Sequence, residues 1–479
     1  MSRVQPASVL LSPGVLWLIA ALSFIPLLFT VQYTGEEAVY TLIPFEMHVT
    51  GALLEPTIHG EAYRRPPLIN WLVFGMASIG GWDYGLFYVR ALSAVSSIVT
   101  SVAIFFFVLH HLRQTRENAL FTAVLYITCW QVIGGYGWKG YSDALFGSLT
   151  FLTILSGWML LESRARASLY WGFAAFFLSF CAFLTKAVTV YVFVFVFAIS
   201  YVYLCRERSR IGFLRAVTPF FFSGGLGAVW YFMTPNGRMM AEGASTDILG
   251  RYLDGSINDY VYTSLAFSWE ALLNFFPLSL IVFVCWVYTG TFRSGKSWGD
   301  TAGVAALLNF LPYAIAPHSH GRYLMPIYGL VAIYAIALCS HDRVAHLRRF
   351  FLRLVLLVIF IKWLFALVLF PLYTEKKRPD IDQVARAVTS ISDGRRIYSL
   401  DESWIGLAVV DKINLSGTQT GFVTKRYEES SNRLLISRHP IDSAGMLVLR
   451  YREEFFVYCS GLGSGGAACP SVATLIGPT

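Results

Sequence analysis

A succession of about eleven long apolar runs, separated by short arginine-rich segments, leaves this chain one class of fold. A membrane-crossing helix needs about 20 apolar residues. The runs fall near residues 14–31, 86–109, 118–134, 142–161, 168–184, 187–204, 214–233, 270–290, 301–317, 323–339 and 351–371. Inside a bilayer every backbone polar group has to be satisfied within the segment, so such runs are helices. With 56% of its 479 residues hydrophobic and only 14% charged, the chain has too few charges for an ordinary soluble globule. These features predict an all-α polytopic membrane protein with about eleven transmembrane helices. Leu68–Ile79 is too short to span and predicts an interfacial or re-entrant piece.

The net charge of +8 is not gathered on one face, which argues against a nucleic-acid partner. It falls at alternate connections: Arg113 and Arg116; Arg164 and Arg166; Arg206, Arg208, Arg210 and Arg215; Arg293 and Lys296; Arg343, Arg348, Arg349 and Arg353. By the positive-inside rule these are the cytoplasmic loops, and the N-terminus is cytoplasmic. The first run lacks an A-x-A cleavage pattern and reads as an uncleaved span. Residues 32–85, 134–141, 184–187, 234–269 and 318–322 then face outward, together with the tail 372–479. That tail is long enough for a small α/β domain, with a helical signal over Asp380–Ser390. Strand-like runs follow at Arg396–Leu400, Gly406–Val410, Leu434–Ser437, Met446–Arg450 and Phe455–Tyr458. Five of the seven cysteines lie in or beside spans. Cys459 and Cys469 lie in the tail, either free or, in an oxidising compartment, paired.

Ionisable groups at the ends of spans are costly, and they mark functional sites. On the outer side they are Glu36 and Glu37 after the first span, Lys139 and Asp143 in GGYGWKGYSD, Lys186 in FLTKAV, and Arg322 in PHSHGRYLMP. Carboxylates able to take a proton from an acceptor, with cations able to hold a leaving phosphate, are the parts needed for transfer from a phosphate-activated donor. Each alone also fits a charge capping a helix at the interface. The polar outer loop 234–269, with Asp247, Arg251, Asp254 and Asp259, reads either as a lid or as a connector without strong structure of its own.

The first outer loop carries a more specific pattern: Glu36-Glu37-Ala38, Tyr40, Glu46-Met47, Gly51, Pro56, Gly60, Tyr63, and Arg65-Pro66-Pro67-Leu68 running to Trp71. Asp143, Leu184-Thr185-Lys186 and Arg322-Tyr323-Leu324-Met325-Pro326 continue it. The whole resembles the GT-C membrane glycosyltransferases, nearest the branch of protein O-mannosyltransferases and the lipid A aminoarabinose transferase. The resemblance covers residues 14–371. It implies inverting transfer of one sugar from a polyprenyl-phosphate donor to a lipid, glycan or protein acceptor, at the periplasmic face of a bacterial inner membrane, with the tail as a periplasmic domain.

By the same resemblance Glu36 takes the place of a catalytic aspartate, with Glu37 and Asp143 as supporting acids. Arg65, Lys186 and Arg322, joined by Lys139, bind the donor phosphate, and Tyr40, Tyr63, His318, His320 and Tyr323 contact substrate. The family pattern has aspartate where Glu36 stands, lysine where Arg65 stands and glycine where Ala187 stands. No ligand cluster supports a divalent metal, which is left open, and no cofactor is called for. The WDYG of Trp82–Gly85 is similar to part of an oligosaccharyltransferase signature but precedes the second span, where it reads as coincidence. The GLGSGG from Gly461 lacks the lysine of a phosphate-binding loop. A transporter or flippase for a lipid-linked saccharide is the alternative. It predicts polar residues through the helices and inverted repeats, whereas the sequence has no such repeat and keeps its charges near helix ends.

Overall fold

The computed structural model describes residues 12–29, 32–163, 165–186, 188–205, 210–234, 237–238, 257–316, 319–377, 381–417, 422–425, 433–441, 446–451, 455–460, 469 and 473–475. The chain divides into two compact units. A helical unit takes Met1–Leu28 and Ala91–Leu367, and a mixed unit takes Phe29–Arg90 and Val368–Thr479.

Each predicted apolar run is mainly helical among the described residues. Among the described residues five helices are individually long and apolar enough to cross a membrane, or six if one bent pair counts as a single span. Pro13–Leu28, Leu68–Gly80, Thr189–Leu204 and Val217–Met233 are shorter apolar helices. The chain is a multi-pass membrane protein. Its first helix starts at Pro13, where proline suits the first turn, under an Ser12 side chain that accepts from the Val15 N–H at 3.4 Å.

The run expected to span at 270–290 is instead the bent pair. Ile257–Asn274 and Leu278–Thr289 meet at 94°. Pro277 has no N–H to continue the first helix, and at the bend the Phe276 carbonyl accepts from the Trp130 N–H at 2.7 Å. The second half of the loop 234–269 is therefore helical from Ile257. Residues 239–256, with Asp247, Arg251 and Asp254, and the Asp259 side chain lie outside the described residues.

Close approach of helices in the helical unit depends on small residues. A Cβ at Gly147 would lie 2.6 Å from the Met325 Cβ, so glycine there lets the helix Ser142–Glu162 seat against the turn Gly321–Ile327. Span interiors are less apolar than the sequence suggests: Lys362, in the helix Arg348–Leu364, is 1% exposed. Its ammonium lies over the rings of Trp138 (5.1 Å), Phe24 (5.6 Å) and Phe365 (5.7 Å), with no hydrogen-bond acceptor among the described residues. Aromatic faces supply the electrostatic partner that lipid cannot.

In the mixed unit, β1 (Thr57–Ile58) and β2 (Glu61–Ala62) form an antiparallel hairpin. β3 (Arg396–Ser399), β4 (Arg433–Ser437), β5 (Met446–Tyr451), β6 (Phe455–Ser460) and β7 (Ala473–Leu475) form a second sheet in the order β3-β4-β6-β5-β7. β4 pairs β3 in parallel and β6 antiparallel, with Leu435 opposite Tyr398 and Tyr458. Alternation sends Ile397, Leu434, Ile436, Val457 and Cys459 to one face, where the helices Ile381–Ser392 and Trp404–Leu415 pack. Tyr398, Leu435, Phe456 and Tyr458 line the other.

The run Gly406–Val410 is helix, not strand. Ser403 caps it by accepting from the Gly406 N–H at 3.2 Å, and Ile405–Asp411 are buried on every side, so its apolar run has no helical period to reveal it. First-loop residues Tyr33, Ala38 and Leu42 complete the same core, and the Tyr33 hydroxyl donates to Asp411.

Cys459 and Cys469 are joined in a disulfide across Cα atoms 5.9 Å apart. It ties β6 to the chain ten residues on. A loop of that length is worth about 3 kcal/mol in the chain-entropy model. Cys469→Ser is therefore expected to lower the unfolding free energy of the tail by about 2–3 kcal/mol, read from denaturant melts with and without reductant. Native protein should move to the variant's midpoint once reduced.

Candidate active site

In the helical unit three separate sequence stretches come together. A break after the π-helical turn Gln131–Tyr136 lets the chain reverse through Lys139 and start the helix Ser142–Glu162, which places Asp143 in its first turn. Asp143 is 2% exposed, and its Oδ1 pairs with Lys186 Nζ, the last residue of the helix Ala165–Lys186. That ammonium also lies 4.7 Å from the Tyr323 ring centroid and 5.7 Å from that of Phe146. Arg322 sits in the turn Gly321–Ile327, its guanidinium carbon 5.5–5.7 Å from the rings of Tyr136, Tyr141 and Tyr323.

Lys139 Nζ lies over Tyr136 at 5.0 Å, and exposed His320 faces Tyr323 edge-on, ring centroids 5.7 Å apart. Six of the expected site residues, Lys139, Asp143, Lys186, His320, Arg322 and Tyr323, thus belong to one cluster. His318 lies outside the described residues.

Sequence reasoning missed the tyrosines that organise this cluster, Tyr136 and Tyr141, since aromatic residues are common throughout an apolar chain. It also missed Glu270, whose Oε1 accepts from the Gly321 N–H at 3.3 Å and from Asn274 at 3.2 Å. A Cβ at Gly321 would come 2.1 Å from Asn274 Nδ2, so glycine is needed where this turn meets the helix Ile257–Asn274. Lys139, Lys186 and Arg322 outnumber the carboxylates of Asp143 and Glu270, which leaves a positively charged, aromatic-walled place suited to an anion. A guanidinium resting on tyrosine faces presents its planar edge of N–H groups, the fork that fits phosphate oxygens.

The mixed unit holds the other expected residues. Glu36 and Glu37 lie in the short helix Gly35–Ala38. They differ sharply: Glu36 is exposed, while Glu37 is fully buried. Glu37 Oε1 accepts from Arg90 Nε at 3.0 Å, and its Oε2 accepts from Arg90 Nη2 at 2.7 Å and from the Thr34 N–H at 2.7 Å. This two-pronged ion pair, with both side chains at 0% exposure, makes Glu37 a holder of Arg90. Arg90 had passed as the first turn of a span. Near Glu36, exposed Arg65 lies in the field of Tyr63, Tyr40 and that carboxylate and is hydrogen-bonded to Tyr40. Burial pushes the Tyr63 phenol well above its usual range, so it remains a neutral neighbour.

Beyond Glu36 the helix Val39–Thr50 ends at Gly51 (φ 73°), and its buried Glu46 organises the β1-β2 hairpin. Glu46 accepts from Thr57 Oγ1 (2.6 Å), the His59 N–H (2.6 Å) and the Gly60 N–H (3.1 Å). Lys425 clamps the hairpin by pairing with Glu61 at 3.2 Å and Glu402 at 2.7 Å, and its N–H donates to the His59 carbonyl at 2.9 Å.

Burial raises the Glu46 carboxyl to about 7 and lowers the His59 imidazole to about 4. From pH 4.5 to 7 the folded hairpin holds more protons than the unfolded chain at Glu46, so that group costs about 3 kcal/mol as pH rises through the window. Between pH 4 and 6.5 the unfolded chain holds more at His59, which returns about 3 kcal/mol over nearly the same range. Native stability across residues 57–62, measured by amide exchange, is therefore expected to be flat from pH 4.5 to 6.5. His59→Gln should expose a fall toward pH 7, and Glu46→Gln a rise.

Among the described residues no three His, Cys, Asp or Glu side chains are grouped to hold a metal ion.

No protein-family model and no curated protein matches the chain. Solved structures do. ArnT from Cupriavidus metallidurans bound to undecaprenyl phosphate superposes with a TM-score of 0.68 at 14% identity, over 95% of this chain and 98% of that one. Its apo state gives 0.64 at 14% identity, over 92% and 97%. The Archaeoglobus fulgidus oligosaccharyltransferase in complex with Zn and sulfate gives 0.55 at 12% identity, over 91% of this chain and 60% of that one. The chain has the GT-C fold.

Proposed function

We propose that this protein is a membrane glycosyltransferase that moves one sugar from a polyprenyl-phosphate donor to a lipid, glycan or protein acceptor, with inversion. The observation that carries the reading is the gathering of Asp143, Lys186 and Arg322 at one end of the helical unit, from three stretches far apart in sequence. It is supported by a fold shared with a protein solved with undecaprenyl phosphate bound.

Lys186 and Arg322, with Lys139 beside them, bind the donor phosphate, a role proposed for Arg65 as well. Asp143 holds Lys186 in place through their ion pair. In the reaction the acceptor oxygen bonds to the anomeric carbon while the carbon–oxygen bond to phosphate breaks, its electron pair leaving on the phosphate. The cations neutralise the charge that develops there, the contribution expected to be largest.

Glu36 takes the acceptor proton. Its exposure suits exchange with water, whereas Glu37 is committed to Arg90. A phosphate acceptor is already ionised, and Glu36 then orients it instead. Tyr40, Tyr63, His318, His320 and Tyr323 contact substrate. The placement proposed is the inner membrane of a bacterium, as the family resemblance implies, with the N-terminus cytoplasmic and the tail periplasmic, the orientation that the arginine distribution favours. Residues 234–269 are proposed as a lid, to be tested by truncation, which should slow turnover.

The test is transfer of labelled sugar from a polyprenyl-phosphate pool in membranes carrying the native chain, Glu36→Gln or Asp143→Asn at matched levels. Each variant is expected to lose about 10²- to 10⁴-fold in rate, the usual range for a general base or a charge-orienting group. Native membranes that transfer nothing from any donor, or variants that match them, sink the proposal.

A further inference from the structure

The helix that continues from the Arg322 turn reaches a second polar pocket at its other end. Tyr328–Cys339 runs from the Arg322 turn to Cys339 and Ser340, and Ser297–Ile315 begins just after Lys296. Arg116–Ile127 begins beside Gln114 and carries Asn118 in its first turn, while Arg348 opens the helix Arg348–Leu364. Gln114, Asn118, Lys296, Ser340 and Arg348 line a pocket of about 350 Å³. That volume falls within the range of small-molecule sites. Its floor is apolar: Phe121, Ile336, Val344 and Phe351 are each 1–2% exposed.

We infer that this pocket binds a phosphate group carried on an apolar stem, held between Lys296 and Arg348. Two cations from helices far apart in sequence face one cavity. Arg348 is braced rather than neutralised: Nη1 donates to Asn118 Oδ1 at 3.1 Å, its face lies 5.7 Å from the Phe121 ring, and Nη2 pairs at 3.4 Å with the exposed Glu117. Its Nε is buried and has no acceptor among the described residues. Asn118, with its oxygen engaged, keeps its NH2 as a donor. Lys296 makes no ion pair among the described residues, and the nearby Asp300 is turned to the Ser294 N–H (2.7 Å) and hydroxyl (2.8 Å).

The site thus has charge, donors and an apolar floor but, among the described residues, no internal anion that fills it. Basic pockets between membrane helices recognise the headgroups of anionic lipids in this way. Nothing in the inference depends on the transferase reading, because the pocket shares no lining residue with the cluster of Asp143, Lys186 and Arg322.

The full chain in detergent, assayed by native mass spectrometry, distinguishes the sources of the phosphate. Dioleoylphosphatidylglycerol should bind and dioleoylglycerol, which lacks phosphate, should not. Lys296→Gln and Arg348→Gln should each weaken retention about fivefold, and together about 25-fold. Arg348→Gln also loses its Asn118 and Glu117 contacts, so Lys296→Gln with an unchanged melting temperature is the cleaner arm. Competition by glycerol 3-phosphate assigns the site to a soluble phosphate ester, and failure to compete assigns it to the lipid. Equal binding of dioleoylglycerol, or Lys296→Gln retaining phosphatidylglycerol like the native chain, overturns the inference.

Discussion

Arg322→Gln is expected to lower the turnover of sugar transfer by about 10²- to 10³-fold with little change in melting temperature. Loss of a preorganised charge donor aimed at a developing anion costs about 3–4 kcal/mol of the barrier. Arg322 is half-buried, and its contacts with Tyr136, Tyr141 and Tyr323 are face contacts that glutamine partly keeps, so the fold loses less than the chemistry does. Arg322→Lys retains the charge but loses the planar fork and the stacking, and belongs between the two, about tenfold down. The decisive split is in kcat: the cation does most of its work once the phosphate carries the departing charge, so KM should move less. A variant with full turnover and raised KM would reduce Arg322 to a ground-state contact.

Glu37→Gln is expected to cost about 3–5 kcal/mol of stability, the penalty for leaving one partner of a buried ion pair behind. Arg90 has 0% exposure and would retain the Gln32 carbonyl at 2.7 Å, but in place of two charged acceptor oxygens it would meet one neutral amide oxygen and an NH2 donor. The double replacement Glu37→Leu with Arg90→Met removes both charges and should recover most of the loss, since two apolar side chains of similar volume pay no desolvation penalty. Glu36→Gln, at an exposed position, should stay within about 0.5 kcal/mol of the native chain while losing transfer. Thermal unfolding of detergent-solubilised protein reads all three. If Glu37→Gln melts with the native chain, the pair is not what holds Arg90, and Glu37 returns as a candidate acid.

The adjacent glutamates show where sequence stops informing. Both read as acids after a span, and only the fold reveals that one faces water and the other a buried arginine, because Arg90 lies 53 residues further on. Legible features were those set by a steep local cost. Apolar runs had to become helices, and Asp143, Lys186 and Arg322 stood out because charges at the edge of a bilayer are expensive. They do cluster, and the GT-C architecture implied by the first loop is the one found.

Features that depend on non-local partners were hidden. Lys362 contradicts the expectation that charges keep to helix ends, and only the ring of Phe24, Trp138 and Phe365 accounts for it. Glu270 looked like the start of a span and is instead near the end of the helix before a proline bend. Trp404–Leu415 read in part as a strand because a helix buried all round has no polar face. β7, a three-residue edge strand, has too little pattern to be seen at all.

The central claim is that the bond between sugar and phosphate is broken on this protein. Its most direct measurement is release of free polyprenyl phosphate from a donor labelled in the lipid, using purified native chain in nanodiscs with a cell-envelope extract as acceptor source. The account predicts release that requires the extract, matches the sugar transferred mole for mole, and falls at least a hundredfold in Arg322→Gln and Asp143→Asn. Donor that binds, crosses the bilayer and is recovered intact would contradict it and leave transport as the function.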